Sequence, residues 1–147
     1  DRDVSGEKSD STVRPTVDMH RKMALLVEDN ELNMEIAEFL LEGEGMIVVK
    51  ASNGKEAVEK FAASEVGGFD IIFMDVMMPV MNGLDAARKI RSMTRADAQA
   101  IPVIAMTANA FQDDVQRSFE VGMNAHITKP LDINKIREAI TDVMTKK

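Results

Sequence analysis

The feature that most limits what this chain can fold into is a regular alternation of two kinds of segment. Short runs of consecutive apolar residues are each followed by a longer stretch whose apolar residues recur at helical spacing. The runs are apolar at adjacent positions, not at every second one, which is typical of strands buried on both faces. They occupy residues 23–27, 47–49, 71–74, 103–106 and 125–127.

Strands buried on both faces belong to parallel sheets with helices on each side. Five such strands, alternating with five helices through right-handed crossovers, predict a flavodoxin-like doubly wound α/β fold. Its five-stranded parallel sheet has the order 2-1-3-4-5, with helices on both faces. Short polar side chains that can cap helices mark three helix starts. They are Asn30, Asn53 (which resembles a capping box with Glu56) and Asp132, while Asn82-Gly83 leads a further helix.

Composition excludes several classes of protein. The 147 residues contain no Cys and two His, which excludes a disulfide scaffold, a cysteine-ligated metal site and a multi-histidine zinc site. Acidic residues outnumber basic ones, 25 to 18, and this argues against non-specific nucleic-acid binding as the main activity. No apolar run reaches the roughly 20 residues of a membrane-spanning helix.

Residues 1–22 differ from the rest of the chain. They hold five basic and five acidic residues and show no apolar periodicity. This composition predicts a flexible linker or lead-in over 1–22, followed by one folded domain over 23–147. The chain starts with Asp instead of Met, so we expect it to be part of a longer protein.

Polar and charged residues follow the predicted strands where they end. Glu28 and Asp29 follow the first strand and Asp75 the third; Thr107 and Lys129 follow the fourth and fifth. Ligands bind beyond the carboxyl ends of such strands, so these side chains are expected to converge at one edge. Three neighbouring carboxylates repel one another unless a hard cation such as Mg²⁺ or Mn²⁺ joins them. A carboxylate beside such a cation and a lysine suits phosphoryl transfer, with the carboxylate as nucleophile.

Each of these residues has an ordinary structural explanation when it is taken alone. An Asp after a strand, such as Asp75, is more often a turn or cap residue. Glu28 and Asp29 could simply favour the start of the next helix. Thr107 could be a turn hydroxyl and Lys129 a solvated charge. The position of the whole set at strand ends is what favours a chemical role.

Four stretches of the sequence resemble the receiver domains of two-component response regulators. The similarity extends from about Met23 to Met144, which is nearly the whole chain apart from the lead-in. As a set, the four stretches are highly specific. They are Leu26-Val27-Glu28-Asp29-Asn30, Met74-Asp75-Val76-Met77-Met78-Pro79-Val80-Met81-Asn82-Gly83, Met106-Thr107-Ala108 and Thr128-Lys129-Pro130.

The resemblance implies a phosphoacceptor and its metal site. Asp75 is the expected phosphoacceptor. Glu28, Asp29 and Asp75 are expected to hold Mg²⁺ together with the backbone carbonyl of Met77, with Mn²⁺ as an alternative. Glu28 stands where many receivers have Asp, and it is expected to bind the cation directly or through water.

The resemblance also implies a switch. Lys129 is expected to pair with phosphoryl oxygens and to precede Pro130 through a cis peptide bond, which is cheap only before proline. Thr107 is the expected switch hydroxyl. The switch position on the fifth strand, usually Tyr or Phe, is His126 here. A ring that fills the same slot is favoured over a pH-sensitive switch, because the sequence shows no acidic partner for it.

The stretches 26–33 and 106–110 look most like receivers attached to hybrid sensor histidine kinases. This implies a phosphohistidine on a kinase dimerisation and phosphotransfer domain as the donor. It also implies a histidine phosphotransfer protein that docks near the first helix, and an output face containing Phe111, Phe119 and His126. No direct contact with nucleic acid or membrane is expected. The expected location is cytoplasmic, with a membrane-anchored parent protein left open.

Four alternatives to a hybrid-kinase receiver differ in the sequence features that they need. A stand-alone receiver stays open. An aspartyl phosphatase of the haloacid dehalogenase class needs a second Asp where this chain has Met77. A flavodoxin needs a Ser/Thr/Gly-rich loop where this chain has Glu28 to Glu31. An inert pseudo-receiver is disfavoured because the five site residues are all present.

Overall fold

The computed structural model describes residues 18–76, 81–108 and 112–145 of the chain. Within these ranges five strands alternate with five helices, and no helix is long and apolar enough to cross a membrane. The strands are β1 (Met23–Val27), β2 (Ile47–Ala51), β3 (Ile71–Asp75), β4 (Val103–Thr107) and β5 (Ala125–Thr128). The helices are α1 (Glu31–Gly43), α2 (Gly54–Ala63), α3 (Gly83–Arg91), α4 (Gln112–Glu120) and α5 (Ile133–Thr145).

The sheet has the order β2-β1-β3-β4-β5, and every neighbouring pair of strands is parallel. This confirms the predicted flavodoxin-like fold. From β1 the chain passes to β2 on one side, and β3 then pairs with the other side of β1. Such a reversal of strand order opens a crevice beyond the carboxyl ends of β1 and β3, where ligands of open α/β sheets bind.

The apolar core lies on both faces of the sheet, which explains why the strand sequences do not alternate. Leu25 of β1 belongs to an apolar cluster that includes Phe61 of α2. The next residue, Leu26, belongs to a second cluster with Leu41 of α1 and Ile136 of α5. Adjacent strand residues therefore point to opposite faces, and both faces are covered by helices.

The three predicted caps are confirmed, and Asn82, which was expected only to lead a helix, caps α3 in the same way. Each side chain accepts a hydrogen bond from the backbone N–H three residues later, at 2.8–2.9 Å. The predicted capping box at Asn53 differs in detail, because the Glu56 carboxylate accepts a bond from the N–H of Ser52 at 3.1 Å, one residue before the cap.

The folded part of the chain includes residues before β1. Met19 is 2% exposed and belongs to the apolar cluster that α1 and α5 cover. The N–H of Arg21 donates to the carbonyl oxygen of Gly45 at 2.7 Å, and the N–H of Ile47 donates to that of Lys22 at 2.9 Å. Packing therefore begins before the boundary predicted at Met23. Residues 1–17 lie outside the described residues, and the lead-in predicted there stays a prediction.

Candidate functional site

The residues singled out in the sequence lie together at one edge of the sheet. Strands β1, β3 and β4 are parallel neighbours, so Glu28 after β1 lies near Asp75 and Thr107 at the ends of the other two. Thr107 pairs in register with Thr128 of β5, which brings Lys129 to the same edge. The N–H of Lys129 donates to the carbonyl oxygen of Thr107 at 2.7 Å.

Three carboxylates form a cluster at this edge. Glu28, Asp29 and Asp75 each place one oxygen within 4.8 Å of the others. Glu28 and Asp75 are only 2% and 3% exposed, whereas Asp29 faces solvent. The cluster is therefore anchored in the protein and open to solvent through Asp29.

The ammonium group of Lys129 lies between the two buried carboxylates. Its Nζ is 2.9 Å from Glu28 Oε1 and donates a hydrogen bond to Asp75 Oδ2 at 3.0 Å. Burial lowers the pKa of Lys129, but its contacts with the Glu28 and Asp75 carboxylates outweigh burial and raise that pKa. Lys129 therefore stays protonated and offsets part of the negative charge of the cluster.

Asp75 is the carboxylate whose ionisation is most perturbed. Burial raises the pKa of Asp75 to about 7, with smaller contributions in the same direction from a hydrogen bond with Glu28 and from its charge. The hydrogen bond and the charge of Lys129 lower the pKa of Asp75, but by less than burial and Glu28 raise it. A cation at the cluster would favour the ionised form of Asp75, because metal ligands must be deprotonated.

Glu28 has an oxygen that suits a cation. Its Oε2 accepts a bond from the N–H of Asn30 at 3.2 Å. Its Oε1 is buried and faces Lys129 as an ion pair, but no described donor meets it at hydrogen-bond geometry. A buried carboxylate oxygen of this kind is costly unless it is compensated. The donor set is all oxygen, which Mg²⁺ and Mn²⁺ prefer, so the residues present fit a hard divalent cation.

Comparison with known proteins agrees with this geometry. Residues 24–141 match the family model described as "response regulator receiver domain". The chain belongs to the response regulator receiver family. This confirms the resemblance drawn from the four sequence stretches.

The curated relatives of this receiver domain include large histidine kinases. It is 37% identical over 141 residues to probable histidine kinase 2 of Oryza sativa subsp. indica, covering 88% of this chain and 13% of the kinase. It is 35% identical over 117 residues to hybrid signal transduction histidine kinase L of Dictyostelium discoideum, covering 79% of this chain and 7% of that protein. The receiver domain thus spans a small part of the relatives that it matches.

Two solved structures are informative relatives. One is the receiver domain of a sensor histidine kinase from Pseudomonas aeruginosa with a magnesium ion in its active-site cleft (TM-score 0.74, 32% identity, covering 85% of this chain and 99% of that one). The other is the receiver domain of the Saccharomyces cerevisiae response regulator Ssk1, bound to the histidine phosphotransfer protein Ypd1 (TM-score 0.71, 30% identity, covering 84% and 88%).

The structure of this receiver domain also places the remaining predicted residues. The Lys129–Pro130 peptide bond is cis, as the resemblance implied. Thr107 ends β4 and is 8% exposed. Met77, whose carbonyl is a predicted metal ligand, lies outside the described residues, as does Phe111 of the predicted output face.

His126 lies half-buried on β5, beside the ring of Phe119 on α4. The ring centroids are 6.3 Å apart and the rings are nearly perpendicular, at 82°. Both rings line a groove of about 420 Å³ that also includes Glu138 and Asp142 of α5. The sequence did not reveal that two acidic residues line the same groove, because α5 and β5 meet only in the fold. The ring contact supports the slot-filling interpretation of His126, and its role in switching stays a prediction.

Gly83 is a site-forming residue whose role the sequence did not reveal. Its N–H donates to the carbonyl oxygen of Val76 at 2.9 Å. A Cβ at Gly83 would lie 2.2 Å from the carbonyl oxygen of Asp75, so any side chain would push α3 away from the site. The sequence marks this glycine only as the start of a helix, whereas its close approach to Asp75 is a contact of the folded chain.

Proposed function

We propose that this receiver domain accepts a phosphoryl group from a phosphohistidine onto Asp75. The observation that carries the proposal is the position of the Asp75 carboxylate. It is buried, it accepts a hydrogen bond from the Lys129 ammonium, and it lies in a cluster with Glu28 and Asp29. One carboxylate oxygen of Asp75 attacks phosphorus in line, the P–O bond forms, the P–N bond breaks, and the imidazole nitrogen of the donor leaves.

Glu28, Asp29 and Asp75, with the carbonyl of Met77, would hold Mg²⁺, and Mn²⁺ would suit the same donors. The ion supplies charge neutralisation for the transferred phosphoryl oxygens. Lys129 contributes a further positive charge from the side of β5 and is positioned before the reaction by Glu28 and Asp75. This pre-organisation lets Lys129 exchange one oxyanion partner for another as the phosphoryl group arrives.

The new charge on Asp75 would then attract the hydroxyl of Thr107, the last residue of the neighbouring strand β4. Shifting a two-state equilibrium from 1:99 to 99:1 requires about 5.5 kcal/mol of differential stabilisation. A few charge-assisted hydrogen bonds, at roughly 1.5–3 kcal/mol each, are of that size. Contacts from Thr107 and Lys129 to the phosphoryl oxygens could therefore drive a conformational switch.

The parent protein would be a hybrid histidine kinase, and the relay partner a histidine phosphotransfer protein. The kinase relatives and the Ypd1 complex of a related receiver support this proposal. Helix α1 offers a docking surface next to the site, because it begins three residues after Glu28. Leu32, Ile36 and Phe39 form an exposed apolar ridge along it, at 66%, 43% and 76% exposure.

The test is phosphorylation by acetyl phosphate and Mg²⁺, measured by intact mass. Wild type is expected to gain one phosphoryl group, and Asp75→Asn to gain none. Asp85→Asn is the matched control, because it removes an exposed carboxylate on α3 that forms an ion pair with Arg88. No adduct on wild type, or an equal adduct on Asp75→Asn, would contradict the proposal.

A further inference from the structure

The second half of helix α4, residues 116–120, has few buried side chains. Among residues 116–120, only Ser118 is buried, and Phe119 is 48% exposed. Helix α3, by comparison, buries Ala86, Ala87 and Ile90 on one face. An element with few buried apolar contacts has a low free-energy cost of displacement. What holds residues 116–120 in place must therefore include contacts at the C-terminal end of α4.

The C-terminal end of α4 is fixed by a side chain from α3. Arg91 donates from Nε and Nη2 to the carbonyl oxygen of Gly122 at 3.0 and 2.6 Å, two residues after α4 ends. It also donates to Asn124 Oδ1 at 2.8 Å and to the carbonyl oxygen of Ala98 at 3.1 Å. One guanidinium thus joins α3, the segment before β4 and the α4–β5 turn.

The turn that Arg91 holds is itself tied to the sheet. Asn124 Oδ1 accepts a second bond from the N–H of Val103 at 2.8 Å, and the N–H of Asn124 donates to the carbonyl oxygen of Val103 at 2.7 Å. Gly122 has a φ of 96°, which favours glycine, and a Cβ there would lie 2.9 Å from Arg91 Cγ and Nε. The guanidinium and the turn are therefore packed as one rigid unit.

The two ends of α4 lie towards opposite ends of the strands. The helix follows β4, whose carboxyl end at Thr107 lies beside the site. It precedes β5, whose amino end lies on the side away from the site. We propose that Arg91 is the pivot of α4. A displacement that starts beside Thr107 turns α4 about the end that Arg91 holds. The proposal rests on the proposed function, because phosphorylation of Asp75 supplies the displacement.

The contact between Phe119 and His126 offers a spectroscopic readout of this motion. Their nearly perpendicular rings belong to α4 and β5, so a rotation of α4 changes the ring current at His126. The chain has two histidines, and the other, His20, lies before β1 and serves as an internal reference.

The control is a second arginine that binds backbone carbonyls away from α4. Arg95 donates to the carbonyl oxygen of Phe61 in the last turn of α2 at 2.7 Å and to that of Glu65 just after α2 at 2.8 Å. Arg91→Lys and Arg95→Lys each keep the charge and lose the fork of guanidinium donors. Gly122→Ala disturbs the Arg91 contact from the other side and leaves Arg91 in place.

The experiment follows the two histidine ring signals by NMR before and after addition of acetyl phosphate and Mg²⁺, with the adduct quantified by intact mass. In wild type and Arg95→Lys, the His126 signal is expected to move and the His20 signal to stay. In Arg91→Lys and Gly122→Ala, the shift of the His126 signal on phosphorylation is expected to fall below half of the wild-type value.

Equal shifts of the His126 signal in all four proteins would contradict the pivot role of Arg91. The proposed function would stand, because the adduct would show that Asp75 had reacted. A His126 signal that does not shift in the phosphorylated wild type would also contradict the pivot role of Arg91. Absence of the adduct from wild type would contradict the proposed function, and the pivot would fall with it.

Discussion

At the scale of single residues, the site holds an unfavourable arrangement of buried charges that a bound cation can stabilise. Glu28 and Asp75 are buried next to each other, and one ammonium, that of Lys129, contacts both. Burial, together with the neighbouring Glu28 carboxylate, raises the pKa of Asp75 to about 7, although the Lys129 ammonium acts in the opposite direction. The metal-free protein is thus destabilised at the position where a cation and a phosphoryl group are proposed to bind.

Replacement of Asp75 should therefore stabilise the metal-free protein. The raised pKa means that folding favours protonated Asp75, so its contribution to stability is complete below pH 4 and is lost as pH rises through about 7. In EDTA at pH 8, Asp75→Asn should raise the melting temperature by about 3–8 °C, the size expected for 1–2 kcal/mol in a domain of this length. The difference in melting temperature between Asp75→Asn and wild type should become smaller at pH 5, and also at pH 8 when Mg²⁺ is present.

Asp85→Asn is the control for this prediction, because it removes a carboxylate that is exposed on α3. It should leave the pH dependence of the melting temperature as in wild type. A melting temperature of Asp75→Asn at pH 8 equal to or below that of wild type would show that burial of the Asp75 charge carries no cost.

At the scale of elements, helix α1 combines a buried face with an exposed apolar one. Ala37 and Leu41 pack on the sheet, while Leu32, Ile36 and Phe39 lie on the solvent side. Their spacing of four and three residues makes a continuous ridge. The glutamates of this helix, such as Glu35, keep the rest of its surface charged. An exposed apolar ridge beside a reactive site is typical of a docking surface.

Loss of the ridge should slow transfer from a protein donor and leave transfer from a small donor unchanged. Phe39→Ser is expected to reduce the rate of phosphoryl transfer from phosphorylated yeast Ypd1 by about tenfold, a change typical of an interface hot spot. Val66→Ser is the matched control, since Val66 is 60% exposed in the loop after α2. Both variants should react with acetyl phosphate like wild type; equal transfer rates from Ypd1 would argue against docking on α1.

At the scale of the whole molecule, the fold extends beyond the segment that its sequence pattern marks. Met19 is buried with residues of α1 and α5, and Glu44 after α1 forms an ion pair with Arg137 of α5 at 3.0 Å. The segment just before β1, the α1–β2 loop and α5 therefore meet at the edge of the sheet opposite the site. This packing joins parts of the chain that are far apart in sequence.

A chain that begins at Asp18 should be more stable than one that begins at Met23. Removal of a buried methionine side chain typically costs about 2–5 kcal/mol. Urea unfolding should therefore give a free energy of unfolding at least about 2 kcal/mol lower for the shorter chain, and Met19→Ala in the full chain should lose a similar amount. Leu32→Ala, which removes an exposed apolar side chain, is the control. Equal stabilities would show that the domain begins at β1.

The sequence by itself determined the order of strands and helices, three of the helix caps and the identities of the residues at the site edge. These features depend on local periodicity, on local backbone hydrogen bonds and on the rule that parallel strands end at one edge. Only the tertiary structure decided that Lys129 contacts both Glu28 and Asp75, that Gly83 must approach Asp75, and that Met19 is buried. It alone revealed the bonds of Arg91 to the α4–β5 turn. The physical reason is that these contacts join residues distant in sequence, so they depend on how whole elements pack and leave no periodic trace in the chain.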